Sequence, residues 1–470
     1  MKLIIGTTLL AFSPSLAQAG FFYPETYGSV SSNNLAILQL AINNAESAGG
    51  GTVYLSQSYP MAGTLDIGAT VRITGCGYQG NQQIGVNPQN TVPTGGCGLL
   101  ETEAVTAILA STNAAVHLDN FHIVYDLPIG DVINTGISAV KIQAGAVSNN
   151  PTEFGAANKG STVVDMYIEG ADRGISMVNA VSYTLARNQI ENYGTMGIFQ
   201  GGGNNPAAGD FSLIGNTIET GAPNNTSCIY IESGGGIGIT GHNKCNFSTG
   251  ATGFTTVGVN FSPNSGYHGI EFFPVDISAN SFEGQTIGIY AACYAPCSAA
   301  GGGWTINGNE IWSGTNPVLI EGDHQWLGGV GFTGGFFQTG SPGQTALTLN
   351  GIEGGTIVGA NFSSFGGVSA TAVSLGAFSS KILQSANHAS QGTTLIGGFS
   401  TPLVPASSAA VTNTYPYAVT VHVRGAGVWL MALNSINIAD GPGEVVMNPG
   451  DIIAVAYTST PSWVWTPLNP

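Results

Sequence analysis

The sequence predicts an all-β protein whose main body is a right-handed parallel β-helix, a solenoid in which each repeat forms one coil. A short Asn-centred phrase recurs at Asn188, Asn216, Asn243, Asn280 and Asn309, then in related form at Gly335 and Asn361, in steps of 28, 27, 37, 29, 26 and 26 residues. An apolar residue stands three before that position (Leu185, Leu213, Ile277, Ile306, Phe332) and another two after it (Ile190, Ile218, Phe282, Ile311, Phe337). Such columns stack inward when parallel strands lie one coil apart. Composition agrees: 70 of 470 residues are Gly, 43% are apolar and only 7% are charged, which is too apolar for disorder and too poor in helix formers for a helical protein. The handedness follows the usual rule for parallel crossovers.

The elements follow in order. Residues 1–19 carry one Lys, an apolar run and Ala-Gln-Ala before Gly20, the layout of a cleaved export signal. Residues 20–50 form an N-terminal cap with a helix over Leu35 to Ala48, its apolar positions Leu35, Leu38, Ile42 and Ala45 falling at helical spacing. The solenoid is expected over 51–400. Its second strand in each coil begins at Gly197, Cys228, Gly269, Gly288, Pro317 and Ala346, with Ile198, Ile229, Ile270, Ile289 and Val318 inward. A Pro/Ser/Ala-rich linker, 401–410, precedes a small antiparallel β-domain over 411–470, where strands alternate around an Asn-Pro-Gly-Asp turn. No stretch after the signal has the ~20 apolar residues of a membrane span. Six cysteines suit an oxidising compartment and allow up to three bridges; no C-x₂-C pair suggests a metal site.

Charge excludes one class of partner. The net charge is −17 with nine Lys and Arg, so the basic footprint of a nucleic-acid binder is missing. Strongly anionic polymers are disfavoured as well, unless Ca²⁺ bridges the two; no other cofactor is expected.

Candidate chemistry sits on outward positions. Glu169, Glu191, Glu219 and Glu283 fall three after the repeat position and read as exposed decoration, although carboxylates one coil apart would repel and raise a pKa. The second strand offers Tyr230, Glu232, Glu271, Tyr290 and Glu321, the mixture a sugar surface asks for: rings stack on pyranose faces, and carboxylates accept hydroxyl protons or perform acid–base work. Glu232 and Glu271, one coil and two residues apart, would have Cα atoms ~8 Å apart, within the range of inverting hydrolases. "EGDHQW" follows at a strand end, with Asp323 and His324 as an acid–base pair and Trp326 as a stacking platform. Glu232, Glu271, Glu321 and Asp323 are therefore the expected catalytic residues, and Tyr230, Tyr290, His324 and Trp326 the expected substrate contacts.

The segment Asn33 to Gly77, a helix leading through "AGGGTVYL" into the first strands, resembles the entry of pectin-lyase-like β-helix proteins and phage tailspikes. The Gly-Asp-Gly usual upstream is replaced by "YGSVSSNN". The Tyr-Pro-x-x-Val, Pro-Gly-Asp and Trp-x-Trp elements of the last 60 residues are similar to terminal modules of tail-fibre and tailspike proteins, which assist trimerisation or bind receptors. The resemblance implies a homotrimeric spike or fibre, on a virion surface or secreted, that recognises a cell-surface polysaccharide; whether it also depolymerises that glycan is open at this point. Pectate-type lyases use an Arg or Lys base beside Ca²⁺, and only Arg173 and Arg187 are placed for that, so hydrolysis is favoured over elimination. Two other readings remain open: a secreted monomeric polysaccharide-degrading enzyme, and a non-catalytic virion decoration protein or adhesin.

Overall fold

A computed structural model describes residues 20–77, 96–111, 114–143, 160–201, 210–221, 225–232, 235–247, 255–262, 273–294, 301–365, 370–389, 393–396, 401–415 and 418–468. The expected export signal lies outside the described residues.

The body is a parallel β-helix with three faces. The first face is a 13-stranded parallel sheet. The second and third are parallel ladders that join into one 22-stranded sheet, because two long strands, Ser281–Cys293 and Glu310–Gly322, run through the corner between them. Each coil visits the faces in that order. One coil, for example, contributes Tyr183–Ala186, Gln189–Glu191 and Met196–Gly201.

Packing explains the repeat. On the first face Leu185, Leu213, Ile239, Ile277, Ile306 and Phe332 are successive register partners, and all are buried. The second face stacks Ile190, Ile218, Cys245, Phe282, Ile311 and Phe337 in the same way. The third stacks Ile198, Ile229, Val259, Ile289 and Val318. Here one expectation is corrected: the third-face strand after Asn243 is Thr256–Phe261, so Val259 takes the inward slot expected for Ile270. The longer step between Asn243 and Asn280 had concealed the register.

The corner between first and second faces holds the repeat's Asn. Asn188, Asn216, Asn243, Asn280 and Asn309 are buried, and the Nδ2 of each of the first four donates to the next Oδ1 at 2.9–3.0 Å. The second Nδ2 proton goes to a carbonyl of the neighbouring coil (Val163, Leu185, Leu213, Ile239, Ile277), and each Oδ1 also accepts a backbone N–H. The bend itself is made one residue earlier, where Arg187, Gly215, His242, Ala279 and Gly308 have φ between 52 and 68°. The Asn is thus selected for its amide and not for left-handed backbone. The ladder pauses at Gly335 and Ala360 and resumes at Asn387, whose Oδ1 accepts from Ala360 N at 3.0 Å. Asn361 is consequently off the ladder by one residue and exposed.

The helix Leu35–Ser47 closes the first coil by burying Leu38, Ala41, Ile42 and Ala45. Beyond the solenoid, antiparallel sheets of four and three strands share a core of Val421, Val423, Met431, Ile453, Val455 and Trp465. The preceding stretch is tied to it: Trp463 Nε1 donates to Pro402 O, and Trp465 N to Thr401 Oγ1. Cys76 and Cys97 form a disulfide and Cys293 is disulfide-bonded, whereas Cys228 and Cys245 are buried free thiols. No described helix is long and apolar enough to cross a membrane.

Candidate functional site

The third face carries most of the expected residues. One outward column runs Ser176, Phe199, Tyr230, Asn260, Tyr290, Leu319 and Thr348, each the register partner of the next. Tyr230 stacks on Phe199 with ring centroids 5.9 Å apart and planes 21° apart, and the Arg173 guanidinium lies 4.4 Å over the Phe199 ring. The result is a short cationic and aromatic strip. Glu232, two residues after Tyr230, is half-buried; burial raises its carboxyl pKa and the Arg173 charge opposes the shift. Gly201 occupies the neighbouring slot, where a Cβ would come within 2.5 Å of the Phe199 ring and 3.1 Å of Glu232 Oε2. A side chain there would displace both groups.

Nearer the C-terminus the same face gathers a second set. Tyr294 Oη donates to Glu321 Oε2 at 2.9 Å and Tyr290 Oη reaches the same atom at 3.5 Å. Partial burial and then the Glu321 carboxylate push the Tyr294 phenol up to about 12, and Tyr290 moves the same way for the same reasons. Beside them, Asp323 Oδ1 and His324 Nδ1 are 2.5 Å apart on the exposed strand end. Tyr294 was not anticipated, because it lies past the end of the alternating pattern.

One expectation fails. Trp326 is 3% exposed and cannot stack on a sugar: it packs where Cβ atoms at Gly322 and Gly351 would come within 2.4–2.5 Å of its ring, and its Nε1 donates to Glu321 O at 3.0 Å. It is a buttress beneath Glu321. Glu232 and Glu321 lie three coil steps apart, about 14 Å along the axis, so they belong to separate parts of this face. Glu271 lies outside the described residues; the strand Thr256–Phe261 leads into Ser262, whose N–H donates to Ile231 O, at the slot beside Glu232.

The second face holds carboxylates that sequence reasoning had set aside. Glu169, Glu191 and Glu219 are consecutive register partners. Glu169 is buried, contrary to the expected decoration, because Tyr167 Oη bonds both Glu169 Oε2 (2.8 Å) and Glu191 Oε2 (3.1 Å) and Asn192 Nδ2 bonds Glu169 Oε1. Burial raises both carboxyl pKa values, and the Glu169 and Glu219 charges add to the rise at Glu191. The Tyr-x-Glu of "MYIEG" was the available signal. Further along this face Trp312 is 44% exposed. Among the described residues no group of three or more His, Cys, Asp or Glu could hold a metal ion. A pocket of about 290 Å³ in the C-terminal module, walled by His422, Arg424 and Glu444 among others, includes none of these residues.

Comparison with solved structures places the architecture. The A-module of the Azotobacter vinelandii mannuronan C-5 epimerase AlgE6 superposes with a TM-score of 0.52 at 14% identity, over 80% of this chain and 96% of that one. The A-module of AlgE4 from the same organism gives 0.52 at 12%, over 81% and 99%. DFA-IIIase from Arthrobacter chlorophenolicus A6 aligns at only 0.42 and 11%, over 80% and 86%. No family model matches the sequence, nor does any curated protein. The chain has the parallel β-helix fold.

Proposed function

We propose that the protein binds a polysaccharide along its third face and hydrolyses it at the Glu321 cluster. The observation that carries this reading is the convergence of Tyr290 and Tyr294 on Glu321 Oε2, with Asp323 and His324 at the same exposed strand end. A carboxylate held by two phenols is oriented to activate water, while the Asp323–His324 pair can deliver or remove a proton at the leaving oxygen. Tyr230, three coils away on the same face and backed by the buried Phe199 ring, offers its ring to a sugar unit of an extended chain. A net charge of −17 favours an uncharged polymer over a polyuronate. The two epimerase modules are named for mannuronan, but at 14% and 12% identity the likeness supports the fold and leaves the substrate to this chain's own residues.

The test is reducing-end release from a panel of neutral bacterial polysaccharides. Glu321→Gln should lower release at least ~100-fold, the scale of a lost acid–base group, with unchanged thermal unfolding. Full activity in that variant sinks the assignment; ultraviolet-absorbing unsaturated products from a polyuronate run beside the panel would convert it to a lyase.

A spike- or fibre-like homotrimer, on a virion or secreted, is the second reading. It is favoured by the C-terminal module, where Trp429 and Ile436 are 55% and 68% exposed. A solution mass of a single chain, 47.8 kDa less the cleaved signal, would remove it in favour of a secreted monomer.

A further inference from the structure

The second face carries an aromatic platform that the Glu321 site does not use. Trp312 and Phe336 project outward from adjacent coils, with ring centroids 6.1 Å apart and planes at 57°. Trp312 is 44% exposed, and its Nε1 donates to Glu310 Oε1 at 3.1 Å, which fixes the indole with its face open. Register places Glu283 and Gln338 on either side of Trp312, and Glu310 and Asn361 on either side of Phe336. The platform therefore spans four coils at about 4.8 Å per step, and every ring has a carboxylate and an amide as neighbours.

We infer that this strip is a second carbohydrate-binding surface, for an extended chain of uncharged pyranose units, independent of the Glu321 site. A pair of rings bordered by hydroxyl-seeking groups matches the apolar face and polar rim of a pyranose. A protein partner fits poorly, since carboxylates beside the central rings would be buried uncompensated in a contact whose core is normally poor in charge. Nucleic acid and polyuronates are repelled by Glu283 and Glu310. Its acids take hydrogen bonds from the Trp312 N–H and, at Glu283, from the Ser281 hydroxyl, and neither donor is acidic enough to protonate a leaving oxygen, so the strip binds without cleaving.

Affinity electrophoresis of the full chain through gels containing dextran, glucomannan, galactomannan or mixed-linkage β-glucan tests this. The wild-type protein should be retarded by at least one of them, and Trp312→Ala should weaken the retardation about tenfold or more, the scale of losing a central aromatic anchor. Trp312→Phe should restore part of it, and release of reducing ends from short fragments should stay unchanged in both. Retardation equal in wild type and Trp312→Ala, or no retardation in any gel, overturns the proposal. So does a fall in solution mass on Trp312→Ala, which would make the strip a self-association surface. Glu321→Gln separates the two sites: lost cleavage with intact retardation supports both, whereas intact cleavage removes the catalytic assignment and leaves the platform standing.

Discussion

Two polar ladders climb the same coils three residues apart, and they behave differently. The Asn ladder runs unbroken through five coils, with every amide buried and bonded. The Glu ladder lasts three coils, Glu169, Glu191 and Glu219, before Asn246 replaces it. An amide both donates and accepts, so each rung satisfies the next and the chain of bonds can continue. A carboxylate only accepts, so stacked copies repel and need donors from outside the column. Tyr167, Gln189 and Asn192 supply them at the start, and Lys244 Nζ, 3.9 Å from Glu219, ends the run. A buried ladder can be structural indefinitely only when its rungs are self-complementary.

Breaking the Asn ladder should cost most. Asn216→Leu leaves the backbone N and the Nδ2 of Asn188 without an acceptor in the core, and each orphaned donor costs about 1–3 kcal/mol, so a loss of roughly 3–5 kcal/mol is expected in denaturant unfolding. The same experiment on Glu219→Gln should show a smaller change, below about 1 kcal/mol, because Glu219 is only half-buried and its ionic partner Lys244 Nζ is 3.9 Å away. Equal losses would erase the distinction between the ladders.

Carboxylate burial gives the next effect. Glu101 is fully buried; its Oε1 accepts from Glu103 N and Gly63 N, its Oε2 has no partner, and burial raises its pKa to about 7. A folded pKa above the unfolded one means the native state holds the proton more tightly. Stability from this group is therefore fully present below about pH 4.5 and is lost as pH rises through about 7. Glu101→Gln should match the wild type at pH 4 and exceed it at pH 8, by an amount on the order of 2 kcal/mol. A difference independent of pH would show that the carboxyl is not titrating.

Glu191→Gln follows with the same sign. Burial raises the pKa of Glu191 and makes its charge unfavourable at neutral pH, and the amide oxygen can still accept from Tyr167, so the variant should be more stable than the wild type at neutral pH and lose that advantage in acid. A loss there would mean that the carboxylate charge itself is needed. The smallest effect belongs to the bend: Ala279 has φ 54°, a conformation that costs a side chain about 1 kcal/mol, and Ala279→Gly should raise the unfolding midpoint slightly where other Ala→Gly changes lower it.

The inward columns were legible because identical apolar types recur at fixed offsets from the Asn, and stacking in a parallel sheet needs nothing more than that recurrence. Legibility failed where spacing changed. The 37-residue step hid Thr256–Phe261, and Asn361 drew attention from Ala360, the true ladder position. Among site residues, Tyr230, Glu232, Tyr290 and Glu321 do lie outward on one face, since alternation along a strand determines sidedness. Burial of outward groups was not legible. Trp326 and Glu169 differ from Trp312 and Glu219 through what neighbouring coils place over them, which no local pattern encodes.

The sequence by itself determined the solenoid, its inward columns and the side of the sheet on which each polar residue stands, because all three follow from periodicity along one strand. Only the tertiary structure decided which carboxylates lie within reach of a partner. It brought Tyr294 to Glu321, buried Trp326 beneath it, held Glu232 three coils away and opened Trp312 to solvent. The physical reason is that hydrogen bonding and burial depend on separations of a few ångströms between coils some 30 residues apart in the chain, and there a single change in loop length resets every neighbour.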